Sequence, residues 1–192
     1  MAAAAADAAA PRLLVTMGTD HHPFDRLVRW VDGWLERGGA ARVSCLIQSS
    51  TSRPAHFAPC QPYLGYVELQ AALRTATAVV CHGGPGTIME CRAVGLVPIV
   101  VPRRRRLGEV VDDHQVAFAR RMATTGDAHL AETQAALHQL LDRVLLEPQA
   151  FRSSPDEGAV AATVARFAEL VDSLVSADPA VGRPRRRQRN VV

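Results

Sequence analysis

Short apolar runs without polar alternation constrain this chain most. They lie at 13–17 (Leu-Leu-Val-Thr-Met), 43–47 (Val-Ser-Cys-Leu-Ile), 78–81 (Ala-Val-Val-Cys) and 97–101 (Val-Pro-Ile-Val-Val). A strand with one face in water alternates; a strand buried on both faces need not, and such strands form parallel sheets covered by helices. Helix-spaced segments separate the runs. Phe24, Leu27, Val28, Val31 and Leu35 mark one, stopped by Gly38-Gly39. Further helices are predicted over 67–74, 87–94 and 113–122, around Leu137, Leu141 and Val144, and around Val160, Phe167 and Leu174. Residues 128–131 are a weaker strand candidate, and 49–62, rich in Ser, Pro and Thr, read as a loop. The alternation predicts an α/β fold with one parallel sheet flanked by helices.

Composition fits that fold. Hydrophobic residues make up 48% and charged residues 21%, which is the balance of a soluble globular domain. All 22 basic residues are arginine, and five of them (Arg183, Arg185, Arg186, Arg187, Arg189) crowd the end of the chain. No aromatic residue is interleaved with those five, so they read as a solvated tail and nucleic acid is not an expected partner. The expected organisation is a disordered Ala-rich start over 1–11, one domain over 12–176 and a disordered basic tail over 177–192. Cys45, Cys60, Cys81 and Cys91 form no C-x-x-C pair and no metal-ligand spacing, so buried free thiols are expected. The first ten residues lack the basic and apolar regions of a signal peptide, and no run approaches the ~20 apolar residues that cross a bilayer.

Open α/β sheets bind ligands beyond the carboxyl ends of their strands. Three segments fall there: 18–23, 82–87 and 102–115. The second, His82-Gly83-Gly84-Pro85-Gly86-Thr87, follows a strand and opens a helix. Helix N-termini present unpaired N–H groups and a positive dipole end, and glycines let backbone approach a diphosphate. The segment is neither a dinucleotide fingerprint, since Met89 stands where Gly or Ala is needed, nor a P-loop, since no Gly-Lys-Ser/Thr follows. Glu90 is open to two readings: an acceptor for ribose hydroxyls, or the end of a Thr87-x-x-Glu90 capping box.

The third segment carries Arg103 to Arg106 and then Asp112-Asp113-His114-Gln115. Gln115 either caps its helix with Asp112 or binds a sugar hydroxyl, and His114 is either a surface residue or a hydrogen-bonding or basic group. One arginine, Arg103, is the candidate to face phosphate. In the first segment Gly18-Thr19 precede Asp20-His21-His22. These residues supply either a phosphate contact with an acid or base, or a polar turn in which Asp20 caps the helix at Pro23. Neighbouring histidines share one ion poorly, so no metal is expected.

Together V-T-M-G-T with F-D-R-L, C-H-G-G-P-G-T-I-M-E, P-I-V-V-P-R and D-D-H-Q resemble the C-terminal domain of family 28 glycosyltransferases over about residues 13–145. The likeness is greatest to small catalytic subunits, the PssE-type exopolysaccharide enzymes and the eukaryotic subunit that adds the second GlcNAc to dolichyl diphosphate; MurG is more distant. The resemblance implies a Rossmann-like GT-B half-domain binding a UDP-sugar, with no metal and no cofactor beyond that donor. It implies that His82, Gly83, Gly84, Gly86 and Thr87 hold the diphosphate, with Gly18 and Thr19 closing over it. Glu90 would bind ribose, and His114 and Gln115 would contact the transferred sugar. His22, or a residue of a partner, would be the general base. Val110 stands where related sequences often have His, and Ser50 near a common Gly.

A two-domain GT-B enzyme needs roughly 350–400 residues on the domain-size scale. The 192 residues here hold one half. The resemblance therefore implies inverting transfer to a lipid-linked saccharide with a membrane-associated, PssD-like acceptor-binding subunit, at the cytoplasmic face of the membrane. The alternative is a non-catalytic module of GT-B fold that binds UDP or docks a partner.

Overall fold

The computed structural model describes residues 10–154. The element order is β1 (Arg12–Thr16), α1 (Asp25–Glu36), β2 (Ser44–Gln48), β3 (Cys60–Gln61), α2 (Tyr66–Thr75), β4 (Ala78–Cys81), α3 (Pro85–Ala93), β5 (Ile99–Val100), α4 (His114–Thr124), β6 (His129–Leu130) and α5 (Gln134–Leu146). The helix expected around Val160 to Leu174 and both terminal segments lie outside the described residues.

The six strands form one sheet in the order β3-β2-β1-β4-β5-β6, and every pairing is parallel. This is the doubly wound Rossmann order, which reverses direction between β1 and β4. The absence of alternation in the strands has its predicted cause. Leu13 and Val15 of β1, with Ala78 and Val80 of β4, face a core shared with Leu27, Val31 and Leu35 of α1 and Leu137 and Leu141 of α5. Leu14, Val79 and Cys81 face the opposite core, with Leu73 of α2, Ile88 of α3 and Ala119 of α4. Both faces of each central strand are therefore buried.

Three local readings change. Residues 60–61, inside the expected loop, form β3, which pairs with Ile47 and Gln48 of β2. The buried Asp32 of α1 holds this region: its carboxylate accepts the N–H groups of His56 and Phe57 at 3.1 and 3.4 Å. Helix α3 starts at Pro85 with Gly84 as N-cap, not at Thr87, because proline's fixed φ suits the first helical position. Thr87 is then within the helix and cannot begin a capping box with Glu90. Helix α4 begins at His114 after Asp113, with no side-chain cap, so the Asp112-x-x-Gln115 box is not formed either.

The four cysteines are free, as expected. Burial pushes the Cys45 and Cys81 thiols up to about 12, which leaves them as inert core residues.

Candidate functional site

A cleft of about 340 Å³ opens where the sheet order reverses. It is lined by Thr16, Gly18 and Thr19 after β1, by Gln48 and Leu69, and by His82, Gly84, Pro85, Gly86, Thr87 and Glu90 after β4. The first two sequence segments thus meet at one site. Helix α3 makes its first intrahelical bond from the Ile88 N–H to the Gly84 carbonyl, so the Gly86 and Thr87 N–H groups have no intrahelical acceptor. Among the described residues no arginine lines the cleft, and Glu90 is its one acidic residue. Glu90 makes no side-chain hydrogen bond or ion pair among the described residues.

The glycines have different reasons to be there. A Cβ on Gly18 would lie 2.5 Å from the His82 ring, and one on Gly84 would lie 2.4 Å from its Nε2. These two glycines make room for an imidazole, where the sequence suggested room for a diphosphate. Gly83 holds φ at +91° and Gly18 at +72°, conformations that L side chains rarely adopt. Only Gly86 of the four meets nothing within 4 Å: its missing side chain leaves open space at the helix start. His82 is buried, and its Nδ1 has no hydrogen-bond partner. Burial first, and the nearby Arg103 charge second, push its pKa down to about 4, so the ring is neutral at pH 7.

The Gly18–His22 loop is held by side chains from three directions. Thr16 Oγ1 donates to Gln48 Oε1 at 2.8 Å and accepts the Gly18 N–H, while Gln48 Nε2 donates to the Gly18 carbonyl. Ser50 Oγ donates to the Asp20 carbonyl at 2.8 Å and Thr51 Oγ1 to the His21 carbonyl at 2.9 Å. Arg103 donates to the carbonyls of Met17, His22 and Glu109 at 2.6–2.9 Å. Asp20 does not cap α1, whose N-cap is Phe24; its Oδ1 accepts the His22 N–H at 2.8 Å and lies 2.6 Å from His22 Nδ1.

Arg103 instead clamps this loop from behind. It is fully buried, stacked 4.8 Å from the Phe24 ring centroid, and does not line the cleft. An arginine after a strand carries no sequence mark that separates a phosphate ligand from a carbonyl clamp. Two partners of this clamp went unread in the sequence. Arg26 of α1 and the buried Glu109 form a two-pronged ion pair at 2.8 Å, and Glu109 also accepts the Arg104 N–H. His114 and Gln115 do not line the cleft. His114 is exposed and is held by Asp112, while Gln115 is buried with its Oε1 unpaired.

Comparison with known proteins decides the family. The model for the glycosyltransferase family 28 C-terminal domain matches residues 12–172. The chain belongs to that family. Among curated relatives, the UDP-N-acetylglucosamine–N-acetylmuramyl-(pentapeptide) pyrophosphoryl-undecaprenol N-acetylglucosamine transferase of Shewanella amazonensis is 39% identical over 74 residues, covering 38% of this chain and 19% of the relative. The enzyme of the same name from Rhodospirillum rubrum is 34% identical over 110 residues, covering 57% of this chain and 27% of the relative. The match thus spans less than a third of either relative's length. Among solved structures, Acinetobacter baumannii MurG superposes with a TM-score of 0.53 at 21% identity, covering 75% of this chain and 44% of that one. The kitacinnamycin glycotransferase gives 0.55 at 20% identity, covering 73% and 36%. At these identities the structures establish the Rossmann-like glycosyltransferase fold.

Proposed function

We propose that this chain is the donor-binding half of a glycosyltransferase that moves a sugar from a UDP-sugar to a lipid-linked acceptor. The observation that carries the proposal is the cleft at the β1/β4 reversal, where the N-terminus of α3 and its open Gly86 position face space lined by polar groups. The diphosphate sits on the Gly86 and Thr87 N–H groups, where the helix dipole stabilises the charge that grows as UDP leaves. Gly18 and Thr19 cover it from β1, and Glu90 accepts from the ribose. His22 takes the acceptor proton. The transfer is inverting and needs no metal. The relatives' names specify a UDP-sugar donor and an undecaprenol-linked acceptor, which supports both substrate classes here. The acceptor half comes from a membrane-associated, PssD-like partner, with this chain as the PssE-type subunit at the inner membrane face. No helix among the described residues is long and apolar enough to cross a membrane.

Calorimetry of the full chain with UDP tests the donor site. Gly86→Val should weaken UDP binding at least tenfold, because the new side chain fills the open position above the helix start. Gly86→Ala alone should keep or raise stability by up to about 1 kcal/mol, since alanine is the better helix former. Glu90→Ala should lower affinity with little change in stability, because no capping box depends on it. Unchanged UDP affinity in Gly86→Val would sink the diphosphate assignment.

A further inference from the structure

We infer that Gln48 is a positioning residue that, in a hydrogen-bonded ring with Thr16, sets the Thr19 N–H as a donor for the diphosphate. The inference rests on the donor-binding function proposed above. One carbonyl orders every donor in the ring. The Gly18 carbonyl only accepts, so the part of the Gln48 amide that meets it at 3.3 Å is the NH₂ group. Gln48 Oε1 is then left for Thr16, whose hydroxyl donates to it at 2.8 Å. The Thr16 oxygen, its proton already engaged, accepts the Gly18 N–H at 3.2 Å. Two side chains thus hold both polar groups of one glycine. Both are buried, which keeps water from competing, and bonds linked in a chain polarise one another.

The two peptides of this turn leave a single group open. Arg103 donates to the Met17 carbonyl at 2.8 Å. Of the four polar groups in the Met17–Gly18 and Gly18–Thr19 peptides, three are therefore engaged: the Met17 carbonyl, the Gly18 N–H and the Gly18 carbonyl. The fourth, the Thr19 N–H, has no partner among the described residues. Across a trans peptide the N–H points opposite to the C=O. With the Gly18 carbonyl drawn to Gln48, the Thr19 N–H is turned away from that side chain. Thr19 is exposed and lines the cleft.

The hold matters because the turn pivots on a glycine. Gly18 has φ at +72°, and glycine takes positive and negative φ about equally, so an unheld Gly18–Thr19 peptide would rotate. The His82 ring under Gly18 leaves no room for a stiffer residue there. Gln48 and Thr16 remove the freedom that glycine brings, before the donor arrives. The Thr19 N–H then meets the diphosphate from β1, as the Gly86 and Thr87 N–H groups meet it from α3. A donor fixed in advance need not reorient as charge grows on the leaving UDP.

NMR titration of the full chain with UDP and with uridine, which lacks the phosphates, tests this. Gln48→Met keeps the length of the side chain and removes both its bonds. It should lower UDP affinity about tenfold and leave uridine affinity within about twofold, the scale of one hydrogen bond to a charged group. Thr16→Val should do the same, and Thr16→Ser, which keeps the hydroxyl, should restore the affinity. Equal losses for UDP and uridine would make Gln48 a contact to the nucleoside or a support of the fold, and overturn the inference. Amide hydrogen exchange on the ligand-free chain reads the ring without any donor. In Gln48→Met the Gly18 N–H should exchange about tenfold faster or more, while Val15 and Val80 in the sheet keep their protection. UDP affinity lost with Gly18 exchange unchanged would mean that Gln48 touches the phosphates itself, which also overturns the positioning role. No UDP binding by the unaltered chain would overturn the donor-binding function and the Thr19 role together. Faster Gly18 exchange in Gln48→Met would even then support the ring as the hold on this turn.

Discussion

His82 titrates near 4 in the fold and near 6.5 as a free side chain. Below 6.5 the unfolded chain takes up a proton that the buried ring refuses, so the unfolded state binds more protons and stability falls as the pH falls. The ring's contribution is complete above about 6.5 and is lost progressively down to about 4, by about 3 kcal/mol at most. Denaturant unfolding at pH 7 and pH 4.5 should show this loss, and His82→Gln should flatten the difference even if its overall stability is lower. An unaltered pH dependence in that variant would mean that the ring is not the group responsible. Ser50 is a second residue whose environment the sequence hides. It is the one non-glycine with positive φ among the described residues, at 53°, and its hydroxyl holds the Asp20 carbonyl. A glycine would adopt that backbone more easily but could not make the bond, which ties the departure at this position to the Asp20–His22 loop.

At the scale of elements, the sequence showed what periodicity and composition can encode. The non-alternating runs gave β1, β2, β4 and β5, and helical spacing gave α1 and α5. What it hid depends on single long-range partners. Strand β3 has two residues and no apolar run, and the segment before it is held by Asp32, whose carboxylate lies in helix α1. A lone aspartate on an apolar helix stripe gives no sign of what it will bond. Similarly, Arg103 looked like its neighbours Arg104 to Arg106, and only its burial against three carbonyls separates it. The start of α3 was legible, since Gly-Pro favours a helix beginning at the proline, yet the Thr87-x-x-Glu90 spacing masked it. Asp32→Ala should therefore cost about 1–3 kcal/mol by leaving two N–H groups without their acceptor. Hydrogen exchange should speed up at His56 and Phe57 and leave β1 and β4 protected. Equal exchange across the whole sheet would show that Asp32 supports the core and not this one loop.

For the described domain as a whole, the telling feature is where charge is absent. The chain has 22 arginines, yet none of those among the described residues lines the cleft at the sheet reversal. Arg103 and Arg26 lie behind it, occupied by carbonyls and by Glu109. On the proposed function, a diphosphate there would be held by N–H groups and a helix end in direct contact, whereas a side-chain cation at longer range would be screened by salt. UDP affinity of the chain should then fall by less than about threefold between 50 and 500 mM NaCl, a range over which the screening length shrinks from roughly 14 to 4 Å. Calorimetry at the two salt concentrations reads this directly. A drop of about tenfold or more would mean that an arginine reaches the phosphates, with Arg104 to Arg106 the first to replace. The parallel sheet makes the short-range arrangement possible, because reversal between β1 and β4 separates the neighbouring crossovers and leaves their strand-to-helix turns facing one space.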